Sequence, residues 1–282
     1  MKTLAYLFGL AVMLLSCGKD RGARIDALFT EYNKDGVPGA SVIVIHNGEI
    51  IFKKGYGLAN LEQKIQVSTS TNFRLASVTK QFTAMCIMML AEQGELGFDD
   101  NLTKFFPKFP EYGNKITVRH LLQHTSGLIT YEDLIPDSAT VPVKDRDVLE
   151  MMMQQDSTYF EPGSQYQYSN SGYAILAMII EIVSGQTFAT FLQKNIFEPL
   201  QMHNTVAYEK GSSTVPYRAF GYTESENGFE FSDQSITSAV LGDGGVYSSV
   251  EDLYQWDQAL YTEKLVSYES LAQAFNSEVL TD

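Results

Sequence analysis

Ser41-Val42-Ile43-Val44-Ile45 and Ile50-Ile51-Phe52 flank His46-Asn47-Gly48-Glu49, and the reading of this stretch decides how the fold begins. Two β-branched runs around Asn-Gly predict a β-hairpin, because both central residues of a two-residue turn need positive φ, which Asn and Gly adopt most easily. Outward from the hairpin the periodicity changes from strand to helix. Ser77 to Gln93 predicts a long helix closed by Gly94, and Val118 to Gln123 and Asp145 to Gln154 predict shorter ones. Ser169 to Val183 is a further helix, whose apolar face of Ala174, Ile175, Ala177, Met178, Ile179, Ile182 and Val183 is broad enough for burial on more than one side. Val250 to Leu260 and Tyr268 to Phe275 are amphipathic, and Ile25 to Tyr32, on the N-terminal side, also carries apolar residues at helical spacing. A hairpin followed by a mostly helical middle predicts the α+β class. No internal repeat or Pro/Gly-rich linker divides the chain.

With 282 residues, 44% hydrophobic and 19% charged, the chain can bury a sizeable core without disulfides or a structural metal. Its 20 Lys+Arg against 34 Asp+Glu give a net charge of -14. That balance, with no Lys/Arg-rich run, argues against a nucleic-acid partner, since phosphate binding needs clustered cations.

Residues 1–16 read as a secretory leader, with Lys2 followed by an apolar run from Leu4 to Leu15. That run is shorter than the roughly 20 residues needed to span a bilayer. Leu14-Leu15-Ser16-Cys17 resembles a bacterial lipobox, so Cys17 is expected to become a lipid-modified N-terminus. Residues 17–24 are then a polar tether, residues 25–282 the folded domain, and the location a bacterial envelope membrane reached by acyl chains. Cys86 lies in the apolar run Phe82 to Leu90 and is expected to be a buried structural thiol. Met88-Met89 and Met151-Met152-Met153 are expected to fill core gaps.

Ser77-Val78-Thr79-Lys80 puts a hydroxyl and an amine three residues apart, on one helix face. A desolvated lysine amine there can take the serine's proton, which makes a nucleophile and its base. Spacing alone is weak evidence: about one Ser-x-x-Lys is expected by chance in a chain of this length, and Ser16-Cys17-Gly18-Lys19 also fits. Tyr168-Ser169-Asn170 follows the Pro162-Gly163 turn and opens the broad apolar helix. There a Tyr beside a cation can shuttle protons, and an Asn can hold the lysine amine and a substrate carbonyl. Tyr112-Gly113-Asn114 repeats the Tyr-x-Asn form in a plain loop, so context separates the two. His120 and His124 stand at i, i+4, the spacing of a metal pair. Leu121 stands where a zinc hydrolase helix carries its Glu base, and no third ligand lies nearby. No metal or cofactor is therefore expected, and one imidazole is expected to bond the turn at Thr125-Ser126-Gly127. The absence of Gly-x-Ser-x-Gly removes the α/β-hydrolase nucleophile elbow.

Taken in order, several pieces resemble the serine β-lactamase and penicillin-binding-protein-like family, in its class C β-lactamase, D-alanyl-D-alanine carboxypeptidase and esterase branch. They are Val37-Pro38-Gly39-Ala40-Ser41, Phe73 to Lys80, Leu121 to Leu128, Tyr168 to Tyr173 and Gly244 to Leu253. The resemblance implies an antiparallel sheet flanked by helices plus a mostly helical region. It implies Ser77 as acylated nucleophile, Lys80 as its activating partner, Tyr168 as proton shuttle and Asn170 as positioning donor. It also implies that the Ser77 N–H forms half of an oxyanion hole. Substrates would be D-Ala-D-Ala peptides, β-lactams or small esters. The family's third motif, Lys-Thr-Gly or His-x-Gly, needs a glycine, yet no Gly or His follows Gly245. The expectation is a chain that stops inside the family's fold, without the strands and helix that should cover the hairpin, and with exposed strand edges. A different class of reading stays open beside the enzyme: a non-catalytic envelope protein that binds peptidoglycan peptides or a partner in the same pocket, or an inactive fragment.

Overall fold

The computed structural model describes residues 22–276. The leader 1–16 and Cys17 lie outside these residues. Of the expected tether 17–24, residues 22–24 already belong to a helix, α1 (22–28), which a 3-10 turn Thr30–Asn33 follows.

The hairpin forms as its sequence predicts. Strands β1 (Ala40–His46) and β2 (Glu49–Tyr56) pair antiparallel, and Asn47 and Gly48 take φ of 52° and 79°. The register slips after Val44↔Phe52 to Ile45↔Ile50, a bulge that leaves Ile51 unpaired. These two strands form a sheet of their own, and Ile50 and Ile51 stay exposed. A second small pair, β3 (Leu58–Asn60) with β4 (Ile65–Gln66), leads into β5 (Phe73–Arg74).

Helix α2 runs from Lys80 to Glu92, and the expected first turn at Ser77 is instead a 3-10 turn over Ala76–Thr79. Its tightening has a local cause. The Leu75 N–H donates to the Val246 carbonyl at 2.8 Å and the Thr79 hydroxyl accepts from the Val246 N–H at 3.1 Å, so this segment is tied to a neighbouring strand before the helix begins. At its other end Gly94, with φ of 78°, closes α2, and the Glu95 N–H bonds back to the Leu90 carbonyl.

Short helices α3 (Leu102–Phe105) and α4 (Val118–Leu122) precede α5 (Asp145–Met153) and α6 (Asn170–Ser184). The side chains of α6 from Ser171 to Ile180 are all buried, which is the burial on several sides that its composition predicts. Helix α7 (Phe188–Leu192), strand β6 (Val206–Ala207) and the exposed hairpin β7 (Tyr222–Ser225) with β8 (Gly228–Phe231) follow. A four-residue helix α8 (Leu241–Gly244) then leads to β9 (Val246–Ser248), α9 (Val250–Ala259) and α10 (Tyr268–Phe275).

Strand β9 lies between β5 and β6 in an antiparallel three-stranded sheet, so the architecture is the expected mixture of antiparallel sheets and flanking helices. One continuous core joins α2, α6 and the helices around them, with Phe82, Cys86, Ile87, Met152, Ile175 and Leu176 fully buried in it. Burial pushes the Cys86 thiol far above its usual range and keeps it protonated, as expected of a structural cysteine.

Candidate active site

Two helix starts and a glycine turn build the site. Ser77 lies in the 3-10 turn ahead of α2 and is exposed, whereas Lys80, the first residue of α2, is only 7% exposed. Ala76, immediately before the serine, is held at φ of 46°, a left-handed conformation unusual for a side chain with a Cβ. Asn170 is the first residue of α6, placed there by the Ser169 side chain, which accepts the Gly172 N–H as an N-cap.

The Lys80 amine has three neighbours: Asn170 Oδ1 at 2.8 Å, the Asp243 carbonyl at 2.8 Å and Ser77 Oγ at 3.2 Å. Both oxygens at 2.8 Å can only accept. A neutral amine would satisfy them with its two N–H groups and turn its lone pair to the hydroxyl of Ser77, which can donate. This is the geometry of a serine with a base.

Asn170 is itself oriented by a residue that sequence reasoning missed. Its Nδ2 donates to Glu132 Oε1 at 2.6 Å, and a carboxylate can take only the NH2 end of an amide, so Oδ1 is left to face Lys80. Glu132, in a 3-10 turn Tyr131–Leu134, thus stands three hydrogen bonds from Ser77. Its other oxygen, Oε2, is buried without a partner.

Asp243, also missed, sits on α8 between two glycines. Its carboxylate accepts from the buried Tyr131 hydroxyl at 3.1 Å. Burial raises the Asp243 carboxyl to about 6 against the opposing pull of Lys80 and Tyr131. The turn that carries it is clamped from behind. Asp145 accepts the N–H groups of Leu241 and Gly242, each at 2.8 Å, and the Thr83 hydroxyl donates to the Gly242 carbonyl at 2.7 Å. Burial lifts Asp145 itself to about 7, although both N–H bonds oppose the rise. A Cβ on Gly242 would lie 2.4 Å from the Tyr173 carbonyl oxygen, so this close approach requires glycine.

Tyr168 stands near the lysine but presents its ring. The Lys80 amine lies 4.9 Å from the ring centroid, and the His124 ring lies 4.5 Å from it on a tilted plane. Tyr168 is 46% exposed and, among the described residues, its hydroxyl has no hydrogen-bond partner in the protein. His124 Nδ1 accepts the Ser169 N–H at 3.0 Å, and burial together with the Lys80 charge lowers its pKa to about 4, so it is a neutral strut under the Tyr168 loop. His120 Nδ1 accepts the Thr117 N–H at 3.3 Å and caps α4. These bonds correct the expectation that an imidazole holds the Thr125–Gly127 turn: both rings serve backbone donors elsewhere.

Arg74, Ala76, Ser77, Tyr131, Glu132, Asn170, Thr237, Asp243 and Gly244 line an open cleft of about 130 Å³ at the serine. Fold and comparisons together place the chain in the superfamily of serine β-lactamases, penicillin-binding proteins and related esterases. Within it the chain belongs to the Beta-lactamase family, whose model matches residues 25–281.

Among curated proteins it is similar to Penicillin-binding protein 4* of Bacillus subtilis (strain 168), 34% identical over 273 residues that make up 92% of this chain and 60% of the relative. It is also similar in structure to the octameric penicillin-binding protein homologue from Pyrococcus abyssi, with a TM-score of 0.75, 29% identity, and 92% of this chain and 60% of that one covered. Against the D-amino acid amidase from Ochrobactrum anthropi SV3 the TM-score is 0.73, with 26% identity and 84% of this chain and 69% of that one covered. The chain therefore spans 60% of the length of its curated penicillin-binding-protein relative.

Proposed function

We propose that this chain is a serine hydrolase that works through an acyl-enzyme on Ser77. The observation that carries the reading is the buried Lys80 amine, held by two obligate acceptors with the Ser77 hydroxyl as its third neighbour. In the first step Ser77 Oγ bonds to the carbonyl carbon of an ester, a β-lactam or a D-Ala-D-Ala peptide, and its proton passes to the Lys80 amine. The bond from that carbon to the leaving oxygen or nitrogen breaks, and the leaving group takes the proton, relayed through the Tyr168 hydroxyl. In the second step a water gives a proton to the Lys80/Tyr168 pair and bonds to the same carbon. Ser77 Oγ departs and recovers its proton. Asn170 holds the lysine in place, and the Ser77 N–H contributes to the oxyanion site. Similarity to penicillin-binding proteins and to a D-amino acid amidase supports acyl transfer at a serine. We place the protein at a bacterial cell envelope, anchored through an acylated Cys17, on the reading of its first 17 residues.

Pre-steady-state hydrolysis of a 4-nitrophenyl ester tests the mechanism. A burst of nitrophenol equal to the enzyme present, followed by slower turnover and lost in Ser77→Ala, is the expected result. Turnover without a burst, unchanged in Ser77→Ala, would contradict it.

A further inference from the structure

One cation at the cleft has no task in the proposed reaction. Arg74, on β5, is partly buried and lines the cleft beside Ser77. Among the described residues its guanidinium finds no acceptor: Nε is shut away from solvent without a partner, while Nη1 and Nη2, equally free of protein acceptors, are not shut away. Arg119 and Arg218, by contrast, pair with Asp99 and Asp233. The two acids on the cleft wall are engaged elsewhere, Glu132 with Asn170 and Asp243 with the Tyr131 hydroxyl. Acids are not scarce in a chain with 34 Asp+Glu against 20 Lys+Arg. A guanidinium keeps its charge at any ordinary pH, so one left without an acceptor in a cleft calls for an anion from outside the protein. The neighbouring glycine leaves room for it. A Cβ on Gly244 would lie 3.5 Å from Arg74 Nη2 and 3.5 Å from Ala76 Cα, so the missing side chain opens a gap between the guanidinium and the turn that carries Ser77.

Resting on the acyl-enzyme reading of Ser77, we infer that Arg74 is a specificity-determining residue that binds a carboxylate on the acyl part of the substrate, so that half-esters and half-amides of dicarboxylic acids are the favoured acyl donors. The walls of the cleft say which part of the substrate it receives. In the proposed reaction the leaving group takes its proton through Tyr168, and Tyr168 is not among the residues that line this cleft. What fills the cleft is therefore the part that stays on Ser77. The two terminal nitrogens of a guanidinium lie in one plane and can serve both oxygens of a carboxylate at once. Thr237, on the same cleft, adds a donor: it shares a hydrogen bond of 3.1 Å with the Ser235 hydroxyl in which either can donate, and with Ser235 donating, the Thr237 proton is left for the anion. The net charge of -14 acts on the approaching substrate and is screened beyond about 8 Å at physiological salt, whereas this ion pair forms in contact. A neutral acyl chain of the same length leaves the guanidinium unpaired. No new bond-making step is involved; the carboxylate adds a contact to the acylation already described.

The test compares two esters that differ only in charge at the far end of the acyl chain, 4-nitrophenyl hydrogen adipate and 4-nitrophenyl methyl adipate. The enzyme is the 282-residue chain with Cys17→Ser. The parent chain is expected to favour the acid over its methyl ester by about tenfold or more in kcat/KM at pH 7, mostly through KM, which is the effect of one charge-assisted contact. Arg74→Gln removes the charge, so the ratio of the two substrates should fall to about one or below, whatever happens to either rate alone. Arg74→Lys keeps a cation without the paired nitrogens and should give a ratio between the two. A parent ratio at or below one overturns the assignment with no variant needed. So does a ratio that survives in Arg74→Gln or, should that variant not fold, one that is unchanged in Arg74→Lys. If neither adipate ester acylates Ser77 while 4-nitrophenyl acetate does, the Arg74 assignment fails and the acyl-enzyme reading stands. If Ser77 is acylated by none of the three, both fall.

Discussion

The helical half and the β1–β2 hairpin of this protein are held together by different means. In the helical half, α2 and α6 share one core, and side chains such as Phe82, Ile87 and Ile175 have no exposed surface. The hairpin rests on its own pairing and on scattered contacts to its neighbours: Lys54 and Tyr56 donate to Asp26 of α1 at 2.7 and 2.8 Å, Tyr254 of α9 donates to the Gly48 carbonyl at 2.8 Å, and Lys53 pairs with Glu251 at 2.7 Å, while Ile50 and Ile51 face outward. Each residue of the candidate site hangs on the first region. Ser77 lies in the 3-10 turn that enters α2, Lys80 and Asn170 are the first residues of α2 and α6, and Asp243 rides on α8. Acyl transfer and global stability should therefore be lost together from one side of the molecule and separately from the other.

The largest test of this division is Phe82→Ala. Phe82 is fully buried, with its ring centroid 4.4 Å from that of Trp256 and 5.8 Å from that of Phe197. Its loss should destabilise the protein by about 3–5 kcal/mol in urea and take Ser77 reactivity with it. A smaller effect is expected from Gly242→Ala, which must push α8 away from the Tyr173 carbonyl. It should destabilise by about 1–3 kcal/mol and slow acylation more than its loss of stability explains, because the Asp243 carbonyl moves off Lys80. The hairpin gives the opposite result. Gly48→Ala, at φ of 79°, should lower stability by about 1 kcal/mol and speed hydrogen exchange in β1 and β2, with Ser77 acylation unchanged.

A last test varies pH in place of sequence. Asp145 and Asp243 have folded-state values of about 7 and about 6, above the ordinary 3.8. The folded state therefore binds more protons than the unfolded one between pH 4 and 7, and the stability these groups contribute is fully present below pH 4 and lost as pH rises through 6 and 7. The slope is at most about 1.4 kcal/mol per pH unit for each group. Urea midpoints across this window should fall with pH, and Asp145→Asn should flatten the fall. Four carboxylates with lowered values, Asp26, Glu92, Asp100 and Glu251, work the other way, and their stability is lost as pH falls below about 4.

Much of the architecture was legible from local chemistry. Asn47-Gly48 has a turn type that few other pairs adopt, and Gly94 and Gly185 end α2 and α6 with positive φ, as helix stops do. Ser77, Lys80 and Asn170 came from short motifs whose residues turn out to be hydrogen-bonded to one another. Glu132 and Asp243 were not legible, because nothing about a Glu in a loop or an Asp between glycines reveals a neighbour 38 or 163 residues away along the chain. The histidines show the same limit from the other side. Their i, i+4 spacing drew attention to metal and to the adjacent turn, while their actual partners are the N–H groups of Thr117 and Ser169, fixed by how α4 meets the loop before α6. Likewise the first turn of α2 tightened because Val246, far along the chain, ties down Leu75 and Thr79.

The central claim is that Lys80 makes Ser77 a nucleophile, and intact mass tests it most directly. The chain with Cys17→Ser would be exposed to a penicillin and, separately, to an activated ester, beside Ser77→Ala and Lys80→Ala. The account predicts an added acyl mass on the parent chain, none on Ser77→Ala, and acylation slowed about 100-fold or more in Lys80→Ala. A folded parent chain that gains no mass from either reagent, or an adduct that persists in Ser77→Ala, would contradict it.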